Sequence, residues 1–482
     1  MTPGEHPQRD ERRLILGVLA LGCGGFALLS TIVAPALPVL QRDLHTSTSG
    51  AAWIFTSFLL ATAVATPVAG RLGDMFGKKR VLVISLAALA AGSLLAAVVT
   101  SLPLLIAART IQGLGGAIYP LSFGIIRDEF PRERVASAIA LVSSLLGIGG
   151  GLGIVLAGPI LQHLSYHWLF WILLVLTSVA AVTALVFIPE SPIREPGRVD
   201  WLGGVLLSAW LVALLVAVSE GTTWHWGSAK TIGLFVASGL LAAAWVTTES
   251  RSRQPLVDMR MMRRSGVWTT NTAALLLGFG QYGALILIPE LVQAPASTGY
   301  GYGASVTQAG LFLIPMTIAT MITSPISGWL SNLFGSKVPL VLGSLASTVA
   351  FVVLAVAGAR WEIYLASTLV GIGVGLAFAS MANLIVEAVT PGQTGVGTGM
   401  NILVRTIGGA FAADIAATVL GAHLLPSGEP TKHAYTITFS ICAAALLAGV
   451  LASLAVPGRR RPRAHSPEIL DPTSARSWRD AA

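Results

Sequence analysis

Runs of about twenty apolar residues recur from one end of the chain to the other, and they leave it few ways to fold. A helix needs roughly 20 such residues to cross the hydrocarbon core of a bilayer. A backbone in that core must satisfy its N–H and C=O groups internally, which a helix does within one segment. Fourteen runs are read along the sequence: 14–40, 50–69, 81–101, 104–126, 136–161, 167–188, 201–219, 231–248, 267–291, 304–330, 338–357, 363–386, 397–420 and 434–456. The predicted fold is an all-α polytopic membrane protein with 14 transmembrane helices. Of the 482 residues, 54% are hydrophobic and only 11% charged, where a soluble globular chain carries about 25% charged residues. The first run contains Ala34-Pro35-Ala36, but it is too long for the apolar core of a signal peptide and is read as a span.

The basic residues then set the orientation, because Lys and Arg accumulate in cytoplasmic loops. With the N-terminus placed in the cytoplasm, 24 of the 30 Lys and Arg fall on the inner side, among them Arg71, Lys78, Lys79, Arg80, Arg127, Arg194, Arg198 and the tail cations from Arg459 onward. Four fall outside, Arg42, Lys230, Arg360 and Lys432, and two, Arg109 and Arg405, fall within spans. The expectation is a multi-pass protein of the cell membrane with both termini cytoplasmic. The net charge of +8 is then a topology signal and implies no nucleic-acid partner. Cys23 and Cys442 both lie in apolar runs, which excludes a disulfide framework and offers no metal-site spacing.

A segment of the first half recurs in the second. Thr66-Pro67-Val68-Ala69-Gly70, continuing through Asp74 and Gly77 to Lys79, returns 258 residues later as Ser324-Pro325-Ile326-Ser327-Gly328, continuing through Asn332 and Gly335 to Lys337. The same shift carries Gly113 and Gly115 onto Gly371 and Gly373. An even number of spans separates the copies, so the repeat is parallel, as in transporters whose halves are related about the membrane normal. The domain reading is a cytoplasmic N-terminus at 1–13, a six-helix half at 14–188, a linker with two inserted helices at 189–266, a second six-helix half at 267–456 and a basic cytoplasmic tail at 457–482.

At this repeated loop the sequence resembles the major facilitator superfamily: Gly70-Arg71-Leu72-Gly73-Asp74-Met75-Phe76-Gly77-Lys78-Lys79-Arg80 is similar to its signature between the second and third spans. The span count and three motifs resemble the 14-span multidrug:proton antiporter branch. These are Arg109-Thr110-Ile111-Gln112-Gly113, the stretch from Gly147 through Gly153 to Gly158-Pro159, and Thr31-Ile32-Val33 through Pro38. That branch usually carries an acid two positions before the Thr; here the position is Leu29, so the resemblance does not extend to the usual proton or cation site of the first span. The resemblance implies a secondary transporter that exports hydrophobic small molecules or drugs by alternating access, energised by a proton gradient, with no cofactor, and working as a monomer in the lipid bilayer.

Several residues are candidates for that work. Gly70, Gly73 and Gly77 allow a short turn against neighbouring helices, and Asp74 can accept hydrogen bonds at a helix N-terminus, where the dipole favours an anion. Lys78, Lys79 and Arg80 are expected at the lipid headgroups, and Gly70, Gly73, Asp74, Gly77, Lys78 and Arg80 together are read as a conformational latch. Gly147, Gly151, Gly158 and Pro159 are read as a helix-interface motif, since small residues permit close helix contact. Intramembrane charges are by default functional. Arg109, Gln112 on the same face, and Arg405 are assigned to substrate binding or coupling, while Asp414, and after it Glu290, are assigned to the proton. Arg405 lies nine residues before Asp414, too far along one helix for a direct pair. Trp53, Phe55, Phe58, Asn271, Gln281 and Tyr282 are further candidates for a mixed aromatic and polar cavity. No Ser/His/Asp set, metal spacing or phosphate loop points to catalysis, so no catalytic or metal residue is assigned and the chain is not read as an enzyme. A facilitator or importer of a polar metabolite, a receptor and an embedded enzyme remain as alternatives.

Overall fold

The structure is a computed structural model that describes residues 5–46, 48–191 and 200–458. The chain folds into helices α1 (Glu5–Ile32), α2 (Leu37–Asp43), α3 (Thr48–Phe76), α4 (Lys78–Val98), α5 (Leu102–Gly113), α6 (Ile118–Glu129), α7 (Arg132–His163) and α8 (His167–Phe187). It continues with α9 (Trp201–Ser219), α10 (Gly221–Trp224), α11 (Ala229–Arg251), α12 (Met259–Met262) and α13 (Ser265–Gln293). It ends with α14 (Val306–Phe334), α15 (Lys337–Val356), α16 (Arg360–Ala388), α17 (Thr394–Ala422) and α18 (Lys432–Ala455). Thirteen helices among the described residues are long and apolar enough to cross a membrane. The protein is a multi-pass, all-helical membrane protein.

Two of the predicted runs are not single helices. The first, read as 14–40, is α1 up to Ile32, then a short 3-10 turn at Ala34–Ala36, then α2. Pro35 explains the break, since proline lacks an N–H donor and crowds the preceding turn, while Pro38 falls at the start of α2, where a missing N–H costs no helical bond. The fourth, read as 104–126, is α5 and α6 joined by a 3-10 segment at Leu114–Ala117. There Gly113 and Gly116 bring the chain hard against α3: a Cβ on Gly113 would stand 2.8 Å from the Phe58 carbonyl oxygen, and one on Gly116 would stand 2.6 Å from Thr66 Oγ1. The seventh and eighth runs become α9 and α11, the latter longer than read, spanning Ala229–Arg251. Arg194, Arg198 and the tail cations from Arg459 onward lie outside the described residues.

Apolar packing divides the helices into groups. One core gathers residues of α1 to α8, with Leu19, Phe58, Leu86, Ile118 and Phe170 fully buried. A second gathers residues of α13 to α18, around Phe351, Ile363, Phe439 and Leu446. A third joins α9 to the seam between the groups, where Leu207, Leu211 and Leu215 meet Ala63 of α3 and Met400, Leu403 and Ile407 of α17. Large apolar side chains such as Ile84 on α4, Val182 on α8 and Val352 on α15 stay exposed on the outside of the bundle, as expected where the surrounding solvent is lipid.

The repeated turn recurs in three dimensions. Gly77 after α3 has φ +114° and Gly335 after α14 has φ +86°, a region where only glycine avoids a Cβ clash. The face of the bundle bearing these turns is called the basic face below.

Candidate functional site

On the basic face the two helix groups meet through buried polar contacts. Asp74, near the end of α3, accepts hydrogen bonds from the Gly395 N–H at 3.3 Å and the Val396 N–H at 3.2 Å. These are first-turn donors of α17 that no carbonyl within that helix can satisfy, and the helix dipole favours an anion there. The approach is possible because Gly70 has no side chain: a Cβ there would stand 2.6 Å from the Gly395 carbonyl oxygen. A Cβ on Gly73 would collide with Leu121 of α6.

Lys78 does not reach the lipid headgroups, contrary to the sequence reading. It is fully buried, with its ammonium 2.7 Å from Asp128 Oδ2 and 4.0 Å from Asp74 Oδ1. Burial of an ammonium is costly without a counter-charge, and Asp128, fifty positions along, supplies it. Arg80 does lie exposed, 3.3 Å from Glu190. Arg127, beside Asp128, spans the same seam: it donates to the carbonyls of Val389 at 3.0 Å and Thr390 at 3.2 Å, and to Thr394 Oγ1 at 2.7 Å. It thus ties the end of α6 to the connection between α16 and α17. Arg127 entered the sequence reading only as a loop cation and Asp128 not at all, although the adjacent Arg-Asp pair was there to be read.

The equivalent seam on the other side of the bundle joins α14 to α7. Asn332, the counterpart of Asp74, donates from Nδ2 to the Glu133 carbonyl at 3.2 Å and to Ser137 Oγ at 3.3 Å. Gly328, the counterpart of Gly70, lies against α7 so closely that a Cβ would stand 2.8 Å from Ser137 Cα. Farther along, Gly147, Gly151 and Gly158 turn towards Thr320, Thr317 and Thr307 of α14 respectively, while Gly149 and Gly153 face Ala27 and Thr31 of α1. Thr31 Oγ1 donates to the Gly149 carbonyl at 3.1 Å. Pro159 sits inside α7, which continues to His163.

Arg109 is enclosed on the α3 side of α5. Its Nε donates to the Ile54 carbonyl at 3.1 Å, one terminal nitrogen donates to Gln112 Oε1 at 2.7 Å, and the guanidinium lies 4.2 Å from the centre of the Phe58 ring. Gln112 in turn donates to Ser93 Oγ at 3.0 Å. The second terminal nitrogen of Arg109 has no hydrogen-bond partner among the described residues. Phe58 therefore belongs to this enclosed cluster and not to an open cavity.

A narrow cavity does lie between the groups. The first group contributes Tyr119, Phe123, Ser143 and Leu146; the second contributes Phe378, Asn401 and Arg405. Arg405 is 7% exposed, and its guanidinium lies 4.1 Å from the centre of the Phe378 ring. Asn401 Nδ2 donates to Asn271 Oδ1 at 2.9 Å, so Asn271 stands behind the cavity wall. Tyr282 packs over Gly409 of α17.

Asp414 is not in this cavity. Nine positions on an α-helix amount to two and a half turns, so Asp414 points away from Arg405. It shares its stripe with Leu403 and Ile407, which pack into the core with α9, and with Thr418, whose hydroxyl accepts from Trp226 Nε1 at 3.0 Å. Asp414 is 8% exposed, and its carboxylate has no hydrogen-bond or ion-pair partner among the described residues. Glu290, near the end of α13, is exposed. His163 and His167 end one helix and begin the next, and no group of metal-ligating side chains occurs among the described residues.

Two helix groups enclosing a narrow cavity of aromatic and polar side chains, and meeting through buried polar contacts at the basic face, form the fold of a secondary transporter. The chain belongs to the major facilitator superfamily: the model described as Major Facilitator Superfamily matches residues 19–413 and 302–481. It is 28% identical over 411 residues to the "Tetracenomycin C resistance and export protein" of Streptomyces glaucescens, covering 84% of this chain and 75% of that one. It is 29% identical over 421 residues to "Multidrug resistance protein 3" of Bacillus subtilis (strain 168), covering 86% and 80%. The crystal structure of the human organic anion transporter MFSD10 (TETRAN) shares the fold, with TM-score 0.66 and 15% identity over 92% of this chain and 99% of that one.

Proposed function

We propose that the protein exports hydrophobic small molecules from the cell in exchange for protons, by alternating access, as a member of the 14-span branch. The carrying observation is the Asp74 carboxylate of one helix group seated on the first turn of α17 in the other. Such a contact holds one face shut and can be made and broken without covalent change. In this reading both termini are cytoplasmic and the basic face is the inner one. The parallel halves cover 14–188 and 267–456, with α9 and α11 as the insert and the tail 457–482 inside. The repeat is supported by contact partners that obey the same shift of 258: Gly113 abuts Phe58 and Gly371 abuts Met316, while Gly115 abuts Leu89 and Gly373 abuts Ser347. The relatives named as multidrug resistance and export proteins support the direction of transport.

Asp414 carries the proton in this scheme. It is a buried acid on α17, without a side-chain partner among the described residues, and α17 is the helix that also bears Arg405 and receives Asp74. A change of its charge shifts the packing of α17 against the insert and is felt at both other places. Inside-out vesicles holding the protein test this: a pH gradient is imposed, lipophilic cations, neutral drugs and anions are added in turn, and proton release is followed for wild type and Asp414→Asn. Release with one class, lost in the variant, is expected. Release unchanged in the variant moves the proton to Glu290, and no release with any class refutes antiport.

A further inference from the structure

We propose that the cavity between the helix groups takes aromatic organic anions, with the Arg405 guanidinium receiving the acidic group. The inference rests on the exporter reading and names its substrate class. A buried cation is costly unless paired or hydrogen-bonded, and the other buried cations of this protein follow that rule. Lys78 sits 2.7 Å from Asp128, and Arg109 donates to Ile54 and Gln112. Arg405 is the exception. It is 93% buried, lies against the Phe378 ring, and among the described residues has neither a carboxylate nor any other hydrogen-bond acceptor for its guanidinium.

Arg405 does line the narrow cavity, together with Tyr119 and Phe378, and no Asp or Glu lines it. Ser143 Oγ, contributed by the other helix group, lines the same cavity, buried and, among the described residues, without a hydrogen-bond partner. A carboxylate or phenolate in the cavity would give the guanidinium fork its bidentate acceptor and the Ser143 hydroxyl an acceptor too. The ring attached to it would lie among Tyr119, Phe123 and Phe378. A cationic ligand would meet an uncompensated positive charge and no counter-ion, so charge excludes it from this site.

Binding is measured with the full-length chain in lipid nanodiscs, using three fluorescent probes on one ring: naphthoate, naphthylmethanol and naphthylmethylammonium. Naphthoate is expected to bind about tenfold or more tighter than the alcohol, with the ammonium weakest. Arg405→Gln should weaken naphthoate about tenfold to hundredfold, the range of a hydrogen bond to a charged group, and leave the alcohol unchanged. Ser143→Asp keeps Arg405 but sets an acid across the cavity; it should lower naphthoate and raise ammonium affinity, and it serves if Arg405→Gln fails to fold. Equal binding of the three probes, a preference for the ammonium, no naphthoate binding by folded wild type, or an anion preference untouched by both substitutions overturns the proposal. Proton release in vesicles without anion preference would remove this inference and leave antiport standing. Naphthoate binding without proton release would do the reverse.

Discussion

Asp74→Asn separates a conformational latch from a packing contact, because it preserves shape and removes charge. In the closed arrangement the Asp74 carboxylate accepts from two N–H groups at 3.3 and 3.2 Å and lies fully buried, 4.0 Å from the Lys78 ammonium. Asn retains one acceptor oxygen and turns an NH2 group towards the second donor. One hydrogen bond is lost and the other falls from charge-assisted to neutral, a difference of about 1 kcal/mol per bond. Loss of the charge–dipole interaction at the start of α17 adds roughly 0.3–2 kcal/mol. The closed state is thus weakened by about 2–4 kcal/mol, which changes the closed-to-open ratio by roughly 30- to 1000-fold. Spin labels at Phe76→Cys and Phe334→Cys read this directly. The two positions end α3 and α14, are 52% and 65% exposed, and belong to different halves, while the native Cys23 and Cys442 are buried. Pulsed electron-spin distance measurements should show a dominant short distance in wild type and a dominant longer one in the variant. An unchanged distance distribution in a variant with normal membrane level would refute the argument, since the charge would then contribute nothing to closure.

Three further outcomes follow from the same geometry. Gly70→Ala sets a Cβ 2.6 Å from the Gly395 carbonyl oxygen, which is backbone and cannot rotate aside; overpacking of about 1–3 kcal/mol should cut transport about tenfold at unchanged membrane level and lengthen the same label distance. Lys78→Met leaves Asp128 and Asp74 buried without their cation and should cost roughly 3–5 kcal/mol of stability, read as a lower melting temperature in detergent. Adding Asp128→Asn should restore part of that loss, and a loss that instead grows with the second substitution would show that the pair does not interact. Gly151→Val forces α7 and α14 apart at Thr317 and should reduce transport, measured as drug accumulation in cells, while Gly17→Val, where a Cβ meets nothing within 4 Å, should not.

The membrane helices were legible because length and apolarity are local properties. The glycine turn at Gly77 was legible because its φ suits glycine, and its counterpart at Gly335 followed from the repeat. The breaks at Ala34–Ala36 and Leu114–Ala117 were missed because the runs were drawn on length and apolarity alone, which give no weight to the proline and glycines that stand at the breaks. The role of a charge was less readable. Lys78 and Lys79 are neighbours in one basic cluster, yet Lys78 is buried against Asp128 and Lys79 is only partly covered. That distinction is made by α6, fifty residues away, and by Gly124, against which the Lys78 side chain lies. A rule that explains all loop cations as topology signals has no means of finding Arg127 at the seam.

The half-turn between Arg405 and Asp414 was present in their nine-residue spacing, but which face met a cavity and which met α9 depends on the packing of the whole bundle. The outcome gives α17 three separate attachments: its first turn to Asp74 of the opposite half, one face to the cavity through Arg405, and the other face to the insert through the Asp414 stripe. A helix held at three places moves as a body when any one of them changes, since a helix is stiff along its axis and its interior is close-packed. Placing the acid away from the cation, neither of them paired among the described residues, also keeps them from neutralising each other within the helix. In the proposed scheme each is left for its own partner, a proton in one case and a ligand in the other, and the two events would meet only through a movement of α17.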